Sequence, residues 1–385
     1  MNNQSTNFLM RVAALVFSIG LAFAFFINRT SAARFQNSLS APPQKTSTEK
    51  PIEEVQKNIQ VLKGLPESQL IPVMNYMSAS LGVKCGYCHV NKDEKWDFPS
   101  DEKAEKSTAR SMITMVMGIN KANFRGNTDV TCYTCHRGRT SPATVPQLPL
   151  PEPSPLPAEN QGPQQREALQ TTDQILGKYI QALGGPAAIE KLKSRVMKGT
   201  VTTAAGLTLG YELYQSGTDK VLALITPPQQ PVVERGFNGS LGWEKSPRGI
   251  RDLAGEEVYY LRRYPDLSKD IKLKDQFTRL TAAGKDKING RDVYVIRGNT
   301  IDNRRERLYF DVETGLLLRR TTSTATPIGV IPEQVDFEDY RDVNGLKMPF
   351  TIRVSTIDPS YSITRKFTEI KLNVPIDEMR FNKPG

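Results

Sequence analysis

A chain of 385 residues, 38% hydrophobic and 24% charged, has room for two or three domains and is neither a polytopic membrane protein nor wholly disordered. Its net charge of +10 is spread without a basic cluster, which argues for no nucleic-acid partner and leaves a weakly basic face suited to steering an acidic protein. The four cysteines (85, 88, 132, 135) and two histidines (89, 136) are too few for a disulfide scaffold, and their placement leaves nothing for a Ser-His-Asp triad.

In chain order, Arg11 precedes an apolar run from Val12 to Ile27, followed by Arg29 and the small residues Ser31-Ala32-Ala33. Residues 1–33 therefore read as a secretory signal peptide, with an uncleaved signal anchor as the competing reading. Either way the body is exported to the periplasmic or extracytoplasmic face of the membrane, and an anchor would hold it at that membrane. Residues 34–60 are polar and read as a tether.

Residues 61–141 carry the chemistry. A first helix is expected with Leu70, Met74, Met77 and Leu81 on one face, closed by Gly82, with Pro72 confining or kinking its start. A second is expected with Ser100 as cap, Asp101 and Glu102 in its first turn, and a stripe of Ala109, Met112, Met115, Val116 and Ile119. Each helix precedes one pentad: Cys85-Gly86-Tyr87-Cys88-His89 and Cys132-Tyr133-Thr134-Cys135-His136. Two cysteines three apart, followed at once by His, suit two thioether bonds to one haem c and a proximal nitrogen ligand to its iron. A zinc site would prefer about 15–20 residues between the pairs, whereas Cys88 and Cys132 are 44 apart. The pentads thus imply two covalently bound haems c. No third His exists, so the sixth iron ligands fall to methionine. Spacing alone leaves Met74 or Met77 for one haem and Met112 or Met115 for the other.

Residues 142–164 hold eight prolines between Pro142 and Pro163 and read as a stiff, extended spacer. Residues 165–385 then change pattern. A helix is expected over Asp173–Leu183, ending at Gly184-Gly185, with another near Glu256–Leu267. Strands are expected at Val196–Thr203, Leu207–Gln215, Lys220–Ile225, Asp292–Arg297, Arg307–Asp311, Leu316–Thr322, Gln334–Tyr340, Phe350–Val354 and Thr364–Leu372. The fold class is therefore multidomain: a small, mostly α dihaem cytochrome c module, then an α+β domain built on antiparallel sheet.

The segment from Val61-Leu62-Lys63-Gly64-Leu65 through Met74 to the first pentad resembles the first haem segment of the photosynthetic reaction-centre cytochrome c subunit family. Ala109-Arg110-Ser111-Met112 and Val130-Thr131-Cys132-Tyr133-Thr134-Cys135-His136-Arg137-Gly138 resemble its second. The resemblance implies Met74 and Met112 as the sixth ligands. It covers only two of the family's four haem segments, and Asn120-Lys121-Ala122-Asn123-Phe124 lacks the His that the family uses there for a further haem. Phe237-Asn238-Gly239-Ser240-Leu241-Gly242-Trp243 and Phe310-Asp311-Val312-Glu313-Thr314-Gly315-Leu316 weakly resemble the periplasmic lipoprotein-carrier half-barrel, in which a curved sheet wraps an apolar cavity. That implies a lipid or protein ligand for the C-terminal domain. The expected function is an electron carrier, not an enzyme, that serves a reaction centre or respiratory complex and a soluble electron donor. A peroxidase-like dihaem enzyme, or a lipid- or protein-binding module with haem as redox sensor, are the alternatives.

Overall fold

The first pentad and the helices beside it organise the N-terminal third of the computed structural model, which describes residues 50–92, 95–145, 170–253, 255, 257–258, 261, 273–301, 304–357 and 362–385. The expected signal segment, most of the tether, the Pro-rich spacer from residue 146 and most of the helix expected over Glu256–Leu267 lie outside these residues. Glu49–Gly385 make up one compact unit.

The N-terminal part holds four helices, α1 (Ile52–Val55), α2 (Leu70–Leu81), α3 (Ala104–Asn123) and α4 (Cys132–His136), and a small hairpin of β1 (Val90–Lys92) and β2 (Lys95–Asp97). Helix α2 starts at Leu70, two residues before Pro72 rather than after it, because Pro72 falls in its first turn, where backbone N–H groups have no intrahelical partner. It stops at Gly82, whose φ of 69° is left-handed. The buried face is not the methionine face, and of the expected stripes only Val116 is buried. Val73, Tyr76 and Ser80 are buried on α2, and Ile113, Val116 and Asn120 on α3, at the same i, i+3, i+7 spacing. The sequence pattern misleads here because Met is apolar wherever it points, while Ser80 and Asn120 are polar yet buried. Asn120 is satisfied within the fold: its Nδ2 donates to the Val130 carbonyl at 2.7 Å, and its Oδ1 accepts from the Val130 N–H at 2.9 Å.

The start of α3 also departs from expectation. Ser100 Oγ accepts from the Glu102 N–H at 3.2 Å, closing a local turn, and the helix begins only at Ala104. Asp101 instead joins chain segments. It accepts from Asn58 Nδ2 at 2.9 Å and pairs with Lys106 at 3.1 Å and Arg110 at 2.9 Å. The Asn58 hydrogen bond foremost, then Lys106 and Arg110, lower its pKa to about 2. A carboxylate depressed in the folded state stabilises above its ordinary range, and that contribution drains away as pH falls toward 2. The melting temperature of the wild type is therefore expected to drop between about pH 4 and pH 2, and Asp101→Asn to flatten that acid limb, as followed by far-ultraviolet circular dichroism.

The second part opens with α5 (Thr172–Leu183) and α6 (Pro186–Glu190). Thr171 caps α5 by accepting from the Gln174 N–H, and Gln174 answers by accepting from the Thr171 N–H. Thirteen antiparallel strands follow among the described residues: β3 (Ser194–Thr203), β4 (Thr208–Ser216), β5 (Lys220–Thr226), β6 (Val233–Asn238), β7 (Gly242–Ser246), β8 (Gly249–Leu253), β9 (Phe277–Ile288), β10 (Arg291–Thr300), β11 (Arg305–Asp311), β12 (Leu317–Thr326), β13 (Gly329–Val343), β14 (Leu346–Thr356) and β15 (Ile363–Leu372). They form one sheet in the order β8-β7-β6-β5-β4-β3-β15-β14-β13-β12-β11-β10-β9. Every neighbouring pair is a sequential hairpin except β3 with β15, where Arg195 faces Leu372. One apolar core holds Tyr179 of α5, Val201, Tyr211, Val221 and Phe237 from one half of the sheet, and Ile296, Phe310, Val335 and Phe350 from the other. Strands so far apart in a sheet share a core only if the sheet curves around the helix. On the sheet's other face Trp243 packs with Val196, Tyr214, Leu222 and Phe381.

The turn joining β12 to β13 reaches into the helical part. Its Ile328 shares a core with Ile52, Leu62, Leu65, Val73, Tyr76 and Ile113, and Ile331 and Ile357 pack against the same cluster.

Candidate functional site

In the first pentad the backbone turns tightly at Cys85–Tyr87, and the His89 N–H donates to the Cys85 carbonyl at 2.9 Å. That single turn brings His89 back beside its own cysteines. The β1–β2 hairpin then folds over the pentad. Phe98 meets the His89 ring edge-on, with centroids 5.2 Å apart, and stacks on Trp96 at 5.4 Å and 4°. The N-terminal turns of α3 close the third side. Lys103 donates to the Gly86 carbonyl, and Lys106 to the carbonyls of Phe98, Pro99 and Ser100 at 2.8–3.0 Å. Burial first, then the Lys106 ammonium, pushes the His89 pKa down, with the Phe98 backbone opposing. That shift favours the neutral imidazole, the form that can donate a lone pair to a metal. Burial likewise pushes the Cys88 thiol up.

The second pentad is helix α4 itself. Thr131 caps it in a reciprocal pair with Thr134, and Arg137 ends it in a left-handed conformation. His136 Nδ1 lies 2.9 Å from the Arg139 carbonyl oxygen. A carbonyl only accepts, so Nδ1 carries a proton and, in the neutral ring, the lone pair is on Nε2. Cys132 is half-buried, with its Sγ 3.9 Å from the Ile328 carbonyl oxygen, and burial pushes its thiol up. Cys135 is exposed. Helix α2 leans on this pentad: the Gly138 N–H donates to the Ser80 carbonyl at 2.8 Å, and a Cβ at Gly82 would overlap the Gly138 carbonyl.

The two pentads suit haem c attachment on three counts. All four thiols are free, and no three His, Cys, Asp or Glu side chains converge among the described residues, so the cysteines stand as two separate pairs. His136 presents a fixed Nε2 lone pair, the atom that ligates an iron when Nδ1 is hydrogen-bonded. Apolar side chains stand out beside both pentads: Tyr87, Trp96 and Phe98 at the first, Tyr133 at the second.

The methionines are distributed unequally. Met77 packs against the buried core of the helical part, whereas Met74 lies half-buried on the adjoining flank of α2 and is not part of that packing. Met112 and Met115 are both exposed, at 38% and 45%. Residues from the far end of the chain also stand at the site. Ile328 and Thr326 lie nearly 200 positions from Cys132 and Thr128, and nothing local in the sequence announces that contact.

Residues 18–174 match the family model described as photosynthetic reaction centre cytochrome C subunit. The chain is 40% identical over 87 residues to cytochrome c-554 of Chloroflexus aurantiacus, covering 20% of each chain. It is 36% identical over 107 residues to the photosynthetic reaction center cytochrome c subunit of Thermochromatium tepidum, covering 26% of this chain and 25% of that protein. It thus spans about a fifth to a quarter of the length of these curated relatives. Among solved structures, a LolA superfamily protein from Nitrosomonas europaea aligns with 56% of this chain and 98% of its own at 13% identity and a TM-score of 0.41. A DUF1329 family protein from Desulfovibrio piger aligns with 55% of this chain and 96% of its own, at 11% identity and a TM-score of 0.42. The pentad-bearing part of this chain is therefore similar to reaction-centre cytochrome c subunits.

Proposed function

We propose that this chain is an exported c-type cytochrome that carries electrons through two covalently attached haems. The observation that carries the reading is the pair of pentads, each folded as a tight turn with its cysteines free. A haem c held at each would take up and release one electron at its iron. Cys85 and Cys88 would hold the first haem and Cys132 and Cys135 the second, with His89 and His136 as the proximal ligands. Met74 would supply the sixth ligand to the first haem, supported by its standing clear of the core that engages Met77. Met112 would serve the second, supported by the family resemblance. Thioether and nitrogen ligation hold the group in place, and methionine raises its potential relative to a second nitrogen.

The partners that suit this reading are redox proteins: a membrane-bound acceptor such as a reaction centre or respiratory complex, and a soluble donor. The reading places the protein in the periplasm, with the N-terminal segment as signal or anchor. No helix of the described residues is long and apolar enough to cross a membrane.

Full-length protein made in a host that attaches haem c should carry two haems by intact mass, with low-spin spectra that peroxide does not alter. High-spin haem, or fewer than two covalent haems, would overturn the reading. Met112→Ala should lower the potential of one haem and leave attachment intact, while Met115→Ala should leave both potentials in place. The reverse outcome moves the ligand by one turn of α3.

A further inference from the structure

The β12–β13 turn is a piece of the sheet built into the helical part's core at Cys132. Thr326 and Gly329 face each other as the pair closing a two-residue turn of Pro327 and Ile328. Thr326 Oγ1 donates to the Gly329 carbonyl at 2.8 Å and accepts from the Gly329 N–H at 3.2 Å, which fixes the turn's shape from within. Two contacts fix it from outside. Thr128 Oγ1 donates to the Thr326 carbonyl at 3.0 Å, four residues before Cys132. Gly329 lies against the Tyr76 ring of α2 so closely that any Cβ there would overlap it. Ile328 is 0% exposed, in the same apolar cluster against which Cys132 packs.

The first pentad is covered by its own β1–β2 hairpin and by α3, not by the sheet's turn. Cys85 is exposed, and the aromatic residues nearest the pentad, Trp96 and Phe98, are themselves 44% and 51% exposed.

We propose that the β12–β13 turn, through Ile328, is a positioning element for the second haem: it holds Cys132 and keeps water from the haem edge bonded to that sulfur, so the two haems differ in potential. The inference rests on the dihaem reading above. Oxidation leaves an added positive charge on the haem, and an apolar, water-poor surround disfavours it. The shielded haem is therefore the more readily reduced of the two, and a sheet that takes no part in attachment sets the direction in which an electron moves between them.

The test is a redox titration of the full-length holoprotein, followed optically, for wild type, Ile328→Ala, Ile328→Val and Thr128→Val. A variant with Cys85 and Cys88 both replaced by alanine, which keeps only the second haem, identifies its midpoint. Ile328→Ala should shift that midpoint to lower potential while the other stays in place. Ile328→Val, which keeps most of the apolar volume, should restore it. Thr128→Val, which removes only the outer hydrogen bond, should produce a smaller shift in the same direction. Should Ile328→Ala fail to accumulate, Thr128→Val carries the test alone. Midpoints unmoved in these variants, or both moved equally, would overturn the inference with the dihaem reading intact. Wild-type protein without two covalent haems would overturn the dihaem reading itself.

Discussion

Replacing Cys132 and Cys135 together by alanine is expected to yield a chain carrying one covalent haem instead of two. The two pentads hold their thiols as separate pairs, with Cys85 and Cys88 bracketed by the β1–β2 hairpin and Cys132 and Cys135 on helix α4. Neither pair can substitute for the other, because each histidine is tied to its own pentad: His89 by the hydrogen bond to Cys85, His136 by its contact with Arg139. Intact mass and the spectrum of the reduced pyridine adduct read the result directly. The loss should be of one whole haem, with the remaining one keeping its midpoint within the coupling between neighbouring charges. Cys135→Ala alone should be milder, since Cys132 is the half-buried thiol fixed against the Ile328 turn and can still form one thioether. Loss of both haems from the double variant would mean that the two sites assemble as one.

Trp243→Ala is expected to destabilise the sheet by about 3–5 kcal/mol, the cost of emptying a well-packed aromatic site. Trp243 is 1% exposed, at the centre of the outer core formed with Val196, Tyr214, Leu222 and Phe381. Its Nε1 also donates to the Phe381 carbonyl at 2.8 Å, which pins the C-terminal turn against β5 and β6. Gly236 is part of the same arrangement, because a side chain there would occupy the space of the indole. Against a usual domain stability of about 5–15 kcal/mol, a loss of this size leaves a substantial unfolded fraction at modest denaturant. Trp243→Phe should cost less, about 1–3 kcal/mol, mostly for the carbonyl left without its donor. Urea unfolding followed by circular dichroism separates the two. A Trp243→Phe protein as weak as Trp243→Ala would show that the hydrogen bond, not the packing, dominates.

The pentads were legible because their chemistry is local: Cys, Cys and His within five residues fold into one turn wherever the chain puts them. The ends of α2 and α5 were legible for the same reason, since Gly82 and Gly184 adopt backbone conformations that most side chains resist. The methionine faces were not. Periodicity counts Met as core, but the core took Val73, Tyr76 and Ser80, and Ile113, Val116 and Asn120, leaving Met112 and Met115 exposed. Strands β6, β7, β8 and β9 escaped notice, and in β6 and β7 Gly236 and Gly242 interrupt the apolar alternation. Both are glycine to admit a neighbour, Trp243 in one case and Val258 and Leu253 in the other. The contact between Ile328 and Cys132 was invisible, being a matter of how a distant hairpin lands.

The pairing of β3 with β15 has a consequence for how the molecule is made. The last strand of the chain is inserted in the middle of the sheet, between β14 and β3, and not added at an edge. Strand β3 ends at Thr203 and β15 begins at Ile363, 160 residues later. At synthesis rates of about 5–20 residues per second, β3 exists for roughly 8–32 s before its partner does. Over that interval its open edge offers unpaired backbone groups to any passing strand. A chain truncated before residue 363 leaves unpaired the edges of β3 and β14 that β15 would fill, while β4 and β13 still pair with their other edges. A chain truncated there is therefore expected to aggregate more readily than the full-length chain.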